Sequence, residues 1–321
     1  VSTNPSRSVW RRAVVLVPVA LSVVAAGAFG FVQWRAANKV AEARARLLVD
    51  VADAAAKRPP DGDELQRLMT QLKKLPDHET AVDVLSARAG ILLARDQAEA
   101  AWALFGAVAS APTASAEVQG LGARILLRVH ASGLAEGATA TGQLEEVVRL
   151  AEASYRESHA PGDLLRAWLA CERAGQHERS AGFAKQLAAN HADSPEHMFV
   201  AFAVAFDPAK GVGAVDAAVH GLSPEPVEAQ ALRVFALLQA NDLEGATRTA
   251  EQALARAAGV GVVRWAAAVA FHACALKARA AGANDVADWV HRRDEQLGWI
   301  EHDPGSDEAL KQKCRTMRDE K

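Results

Sequence analysis

His191, Asp193, Glu196 and His197 fall within seven positions around a Ser194-Pro195 break. Two imidazoles and two carboxylates so close together have the chemistry to hold a divalent cation. Their spacing is loop-like and follows no ligand pattern, so the plainer reading is surface residues capping a helix. His272, between Phe271 and Ala273 in an apolar stretch, reads as a hydrogen-bonded core or groove residue. Cys171 and Cys274 sit in helical, alanine-rich surroundings and are expected to be small buried hydrophobes. Cys314 lies in a charged tail and is expected to be the exposed thiol, free to pair with another chain outside the cytosol.

Other catalytic signatures are missing. The sequence holds no G-x-S-x-G elbow, no Walker A run, no H-E-x-x-H and no C-x-x-C-H. Lys210-Gly211-Val212-Gly213-Ala214 is glycine-rich but follows no strand, so it reads as a loose turn. No catalytic, metal-binding or cofactor-binding residue is assigned, and the chain is not expected to be an enzyme. An enzyme on this sequence would need a deep polar pocket around His191 and His197.

The elements that carry these residues are helical. The chain has 321 residues, 50% hydrophobic and 23% charged, enough for one large domain or two ordinary ones. Alanine dominates, isoleucine is nearly absent and aromatics make up 5%, a mix that favours helix over sheet. A net charge of -3 removes the electrostatic reason to expect nucleic-acid binding. Three cysteines without short spacings exclude a disulfide scaffold and a zinc ribbon.

Residues 13–33 are the most specific segment. Ala13 to Val32 carries no charge over 20 residues, long enough to cross a hydrocarbon core of about 30 Å. Trp10, Arg11 and Arg12 precede it and Trp34 and Arg35 follow, the residue types that mark the two interfaces. Ala26-Gly27-Ala28 resembles a signal-peptide cleavage site, but the apolar run exceeds the usual length of about 7–15 residues, so a retained anchor is favoured. Flanking charge is nearly balanced. A short basic tail of residues 1–12 that stays inside and a translocated body imply a single-pass protein of a bacterial inner membrane with a periplasmic body. Ser22, Ala26 and Gly30 recur every fourth position and form one small face for a partner helix, unless alanine richness alone produces the spacing.

Beyond the span, residues 34–58 read as a helical stalk with a stripe of Ala37, Val40, Ala41, Leu48, Val51, Ala52 and Ala55. It would pack onto the body or pair with a second copy. Arg58-Pro59-Pro60-Asp61-Gly62 ends it. Residues 59–300 then alternate helical patterns with short breakers. Turn centres fall near 96, 135, 175, 208, 241 and 282, at steps of about 33–41 residues. A period in this range marks an array of helix-turn-helix units, none able to bury its apolar face alone. Residues 301–321 form a charged tail that caps the last unit or hangs loose, with Ser306 as a helix start.

The unit resembles the tetratricopeptide repeat. Asn241-Asp242-Leu243-Glu244-Gly245-Ala246 followed by Ala250 and Ala253 fits its turn and second helix, as do Asp96, Ala101, Phe105 and Val108, and Gly175 to Ser180 with Ala184 and Leu187. Gly282 with Ala287 and His291 fits less well. The resemblance implies an α-solenoid of about five to six repeats, a concave groove lined by first helices, and a function in binding proteins. It places Arg124, Arg128, Arg166, Arg173, Arg233 and Arg264 along that groove, a basic surface for an acidic or C-terminal peptide. The lysine-and-asparagine carboxylate clamp of chaperone-binding members has no counterpart here. Trp102, Trp168, Trp265, Trp289 and Trp299 are expected mostly in the core, with one or two as interface anchors.

The expected protein is therefore all-α, an anchor followed by a helical-repeat scaffold that holds other proteins at a membrane, with self-association open. The alternative is an accessory subunit of a stable membrane complex. The layout resembles anchored accessory subunits of secretion translocons and cytochrome-assembly factors.

Overall fold

The computed structural model describes residues 38–319 apart from 58, 134–136, 304, 305 and 307. The expected transmembrane helix, its interface residues Trp10, Arg11, Arg12, Trp34 and Arg35, and the face of Ser22, Ala26 and Gly30 lie outside the described residues. Among the described residues no helix is long and apolar enough to cross a membrane. The described chain is all-α, without a strand. It divides into two compact units between Ala94 and Arg95.

The first unit contains α1 (residues 38–56), α2 (Gly62–Leu72) and α3 (Val82–Ala94). The paired prolines separate α1 from α2, and the Asp61 carboxylate caps α2 by accepting from the N–H groups of Asp63 and Glu64 at 3.0 and 3.1 Å. Val51 and Ala54 of α1 share one core with Leu65, Leu68, Met69 and Leu72 of α2 and Val84 and Ile91 of α3. Arg44 bridges Asp77 and Asp83, the first at 2.5 Å, and these hydrogen bonds raise its pKa. The buried stripe of α1 is offset from the expected one. Leu47, Leu48, Val51 and Ala54 face inward, while Val40, Ala41 and Ala52 are exposed.

The second unit runs α4 (Ala98–Ala109), α5 (Ala116–Ser132), α6 (Gly137–Ser158), α7 (Pro161–Arg173), α8 (His177–Asn190), α9 (Pro195–Val204), α10 (Val212–Val219), α11 (Glu228–Gln239), α12 (Leu243–Ala257), α13 (Gly261–Ala280), α14 (Val286–His302) and α15 (Glu308–Asp319), with a 3-10 turn at Pro208–Lys210. From α4 to α15 each helix packs on the next, and α5 touches α7, α7 touches α9 and α11 touches α13. Contact with the next helix but one is how stacked helix pairs bury faces that a lone pair leaves open.

Turns recur in one backbone form. Asp96, Gly175, Asn241 and Gly282 all adopt left-handed φ values between 60° and 67°. Glycine reaches that region without strain, and asparagine and aspartate tolerate it better than other residues. At three of these turns the next N–H bonds back five residues: Gln176 to Cys171, Asp242 to Leu237 and Ala283 to Ala278, at 2.8–2.9 Å. This ties up a helix-end carbonyl and stops the helix.

Alanines then set the packing distance. Ala246, Ala250, Ala253 and Ala257 of α12 are all buried in a core with Val234 of α11 and Val263, Ala267 and Phe271 of α13. Small residues at such crossings let helix axes approach closely. The last unit departs from the expected pattern: Ala287 and His291 are exposed, and Leu297 and Ile300 are buried instead.

Two features differ from a simple row of repeats. First, the stack touches itself. The Gly259 N–H, in the α12–α13 turn, donates to the Ala131 carbonyl in the last turn of α5 at 3.0 Å. Second, the charged tail folds. Helix α15 packs on α14 and buries Cys314 completely among Ala268, Leu297 and Ile300, flanked by Trp265, Trp299, Leu310 and Met317. The expectation of an exposed Cys314 is thereby corrected: Leu310, Cys314 and Met317 recur at helical spacing and supply the apolar face of an otherwise charged helix.

Candidate functional site

Helices α12, α13 and α14 frame an open groove of about 530 Å³. Its apolar surface comes from Leu243, Ala278 and Trp289. Two hydrogen-bonded or charged contacts fix the tryptophan. Its indole N–H donates to Asp285 Oδ2 at 2.9 Å, and the Arg292 guanidinium lies 4.9 Å from its ring centroid and 4.2 Å from that of Phe271. Arg292 in turn pairs with Glu251 at 2.5 Å. Cation–π contact and ion pairing hold the aromatic wall in place before any ligand arrives.

Glu244 pairs with Arg248, and Cys274 Sγ lies 3.3 Å from Thr247 Oγ1 with no imidazole or carboxylate among its hydrogen-bond partners. Lys277 stands exposed at the rim. Tryptophan and arginine are the residue types enriched at protein-binding hot spots. Sequence reasoning counted Trp289 among the tryptophans and did not single it out, since its half-buried position depends on the α13–α14 turn. Trp168, by contrast, is core, packed edge-on against Phe199 at 6.3 Å.

The six arginines of the expected basic groove are engaged inside the chain. Arg128 reaches the turn residue Asp96 at 2.6 Å. Arg166 pairs at 2.6 Å with Asp163, a buried carboxylate that also accepts from Ser154 Oγ and Ser158 Oγ at 2.8 and 3.0 Å. That network fastens the α6–α7 corner. Arg173 is buried against Glu228 at 2.7 Å and donates to the Leu127 carbonyl at 3.0 Å. Arg233 bridges Asp216 and Glu225, the first at 2.8 Å. Arg264 donates to Ala258 O at 2.5 Å and to Gln296 Oε1 at 2.7 Å and stacks 4.4 Å from the Trp299 ring centroid; burial lowers its pKa. Arg124 is engaged within the chain as well. These guanidiniums join helices to one another, so the groove beside Trp289 is the better candidate for outside contact.

His191, Asp193, Glu196 and His197 do not converge. His191 Nε2 meets the Tyr155 hydroxyl at 3.1 Å, and His197 Nδ1 meets the Ala192 carbonyl at 2.8 Å. The amide of Asn190 donates to the same tyrosine oxygen at 3.3 Å. Among the described residues no group of three or more His, Cys, Asp or Glu side chains is arranged to hold a metal ion. His272 Nδ1 lies 3.1 Å from Arg293, joining α13 to α14. Burial pushes the Cys171 and Cys314 thiols up to about 11, so neither is a ready nucleophile.

No protein-family model matches the chain, and no curated protein matches it. The class rests on fold and site: an all-α stack of helix pairs with a preformed aromatic groove.

Proposed function

We propose that this chain is a membrane-anchored scaffold that binds other proteins through a tetratricopeptide-like helical-repeat surface. In this reading residues 13–33 form the single transmembrane helix, Trp10, Arg11, Arg12, Trp34 and Arg35 sit at its two interfaces, and the body faces the periplasm of a bacterium. Anchoring confines the body to a surface and raises its effective concentration near a partner. The reading uses no cofactor, metal or nucleic acid.

The observation that carries it is the stack of the second unit: helix pairs joined by turns at Gly175, Asn241 and Gly282, presenting a groove whose tryptophan is already fixed. A preformed surface lowers the ordering cost of binding. The test is carbonate washing of membranes, followed by mild-detergent purification and mass spectrometry of co-purifying proteins. Retention in the washed membrane with a partner that is lost on Trp289→Ala supports the reading. Release by carbonate sinks the anchor, and a partner indifferent to Trp289→Ala sinks the groove.

The second reading, an accessory subunit of a stable membrane complex, is favoured by the spacing of Ser22, Ala26 and Gly30. Replacing Ala26 and Gly30 by leucine then releases the partner while the groove stays intact.

A further inference from the structure

The place where the stack touches itself carries a titratable group, His130, that lies outside the Trp289 groove. His130, in the last turn of α5, is 8% exposed, and its Nδ1 is buried without a hydrogen-bond partner. Beside it run the Gly259 N–H bond to the Ala131 carbonyl and the Arg173 pair with Glu228 and the Leu127 carbonyl. Glu228 Oε2 is also buried without a partner. On the turn itself, Arg264 donates to the Ala258 carbonyl. Of the charged groups on the elements around the ring, Arg173 of α7 is the one whose charge acts on it, and Glu228 of α11 answers that charge.

We propose that this seam is an acid-sensitive latch: protonation of His130 opens the contact between the end of α5 and the α12–α13 turn. The closed stack holds at neutral pH and yields in acid. The inference stands apart from the proposed function and does not depend on what the surface binds.

Closed, the seam disfavours an imidazolium. The ring would bring a second positive charge into a buried site beside Arg173, with Nδ1–H facing no acceptor. Burial first, and the Arg173 charge second, hold its pKa at about 3. Once the seam opens, water reaches the ring and its pKa returns to about 6.5. The sign follows from linkage. The closed-state pKa is the lower one, so closure is unaffected above about pH 6.5 and weakens as pH falls from there towards about 3. Each pH unit in that window shifts the closed-to-open ratio about tenfold.

The seam is also built to part locally. A buried ion pair contributes little net stability because desolvation offsets its attraction. Two buried polar atoms lack partners there, which weakens it further. Opening draws Ala131 away from the core it shares with α11, α12 and α13.

Hydrogen exchange of the full-length protein in mild detergent tests this, with rates corrected for intrinsic exchange at each pH. Peptides covering 127–133 and 256–262 are expected to lose protection about tenfold between pH 7.5 and 5.5, with the slope of one proton, while α7, α8 and α14 hold theirs. His130→Leu and His130→Asn, which cannot take up a proton, are expected to keep the seam protected at pH 5.5. Unchanged seam protection in the wild-type protein overturns the proposal. So does an equal loss in both neutral variants, or a loss that spreads to α14 at the same pH. The wild-type profile decides alone if neither variant folds.

Discussion

Replacing Gly259 by alanine tests the closure of the second unit. A Cβ there would sit 2.2 Å from the His130 carbonyl oxygen and 2.6 Å from both the nitrogen and Cα of Gly133. All three are backbone atoms, so no side chain can swing aside. The turn must move off α5, which breaks the Gly259 hydrogen bond to Ala131 as well. Overpacking costs about 1–3 kcal/mol and a lost hydrogen bond about 1 kcal/mol, together about 2–4 kcal/mol. For a unit of this size each kcal/mol lowers the melting temperature by about 2–4 °C, so a fall of about 4–16 °C is expected. Thermal unfolding of the full-length chain in detergent, followed by circular dichroism, reads it. Gly182→Ala is the control: it lies in α8 with nothing within 4 Å of its Cβ and should stabilise by about 0.5–1 kcal/mol. A Gly259→Ala protein melting within about 2 °C of wild type would refute the close approach.

Thiol labelling of the native protein by a maleimide, read by mass spectrometry, should modify Cys274 first and leave Cys171 and Cys314 unlabelled, since both are fully buried with pKa values near 11. Early labelling of Cys314 would mean that α15 is undocked. Asp163→Ala should destabilise the chain by about 2–4 kcal/mol in urea unfolding, because Arg166, Ser154 and Ser158 all lose their shared acceptor. An unchanged midpoint would mean that the α6–α7 corner does not depend on this network.

Local features were legible in the sequence where the chemistry is local. Asp96, Gly175, Asn241 and Gly282 stand out because only a few residue types tolerate a left-handed turn, and all four are turns. Ala246, Ala250 and Ala253 announce their buried face by spacing. The break at Pro59-Pro60 follows from proline itself. What escaped depends on distant contacts. Nothing local to Gly133 or Gly259 announces the other, yet they meet across 126 positions of sequence. The arginines declare their charge but not their partners, and Arg173 finds Glu228 55 residues away. Cys314 looked exposed because the tail is mostly charged, although the spacing of Leu310, Cys314 and Met317 carried the signal. The groove beside Trp289 exists only after α12, α13 and α14 are stacked.

Photocrosslinking in living cells tests whether the helical stack holds another protein at a membrane. A photoreactive residue would replace Lys277 or Ala281, both exposed on the groove rim, and membranes would be washed with carbonate before analysis. A discrete protein adduct of constant mass from washed membranes, lost when Trp289→Ala is added, is the predicted result. No adduct from either position, in cells whose washed membranes retain the chain, would contradict it.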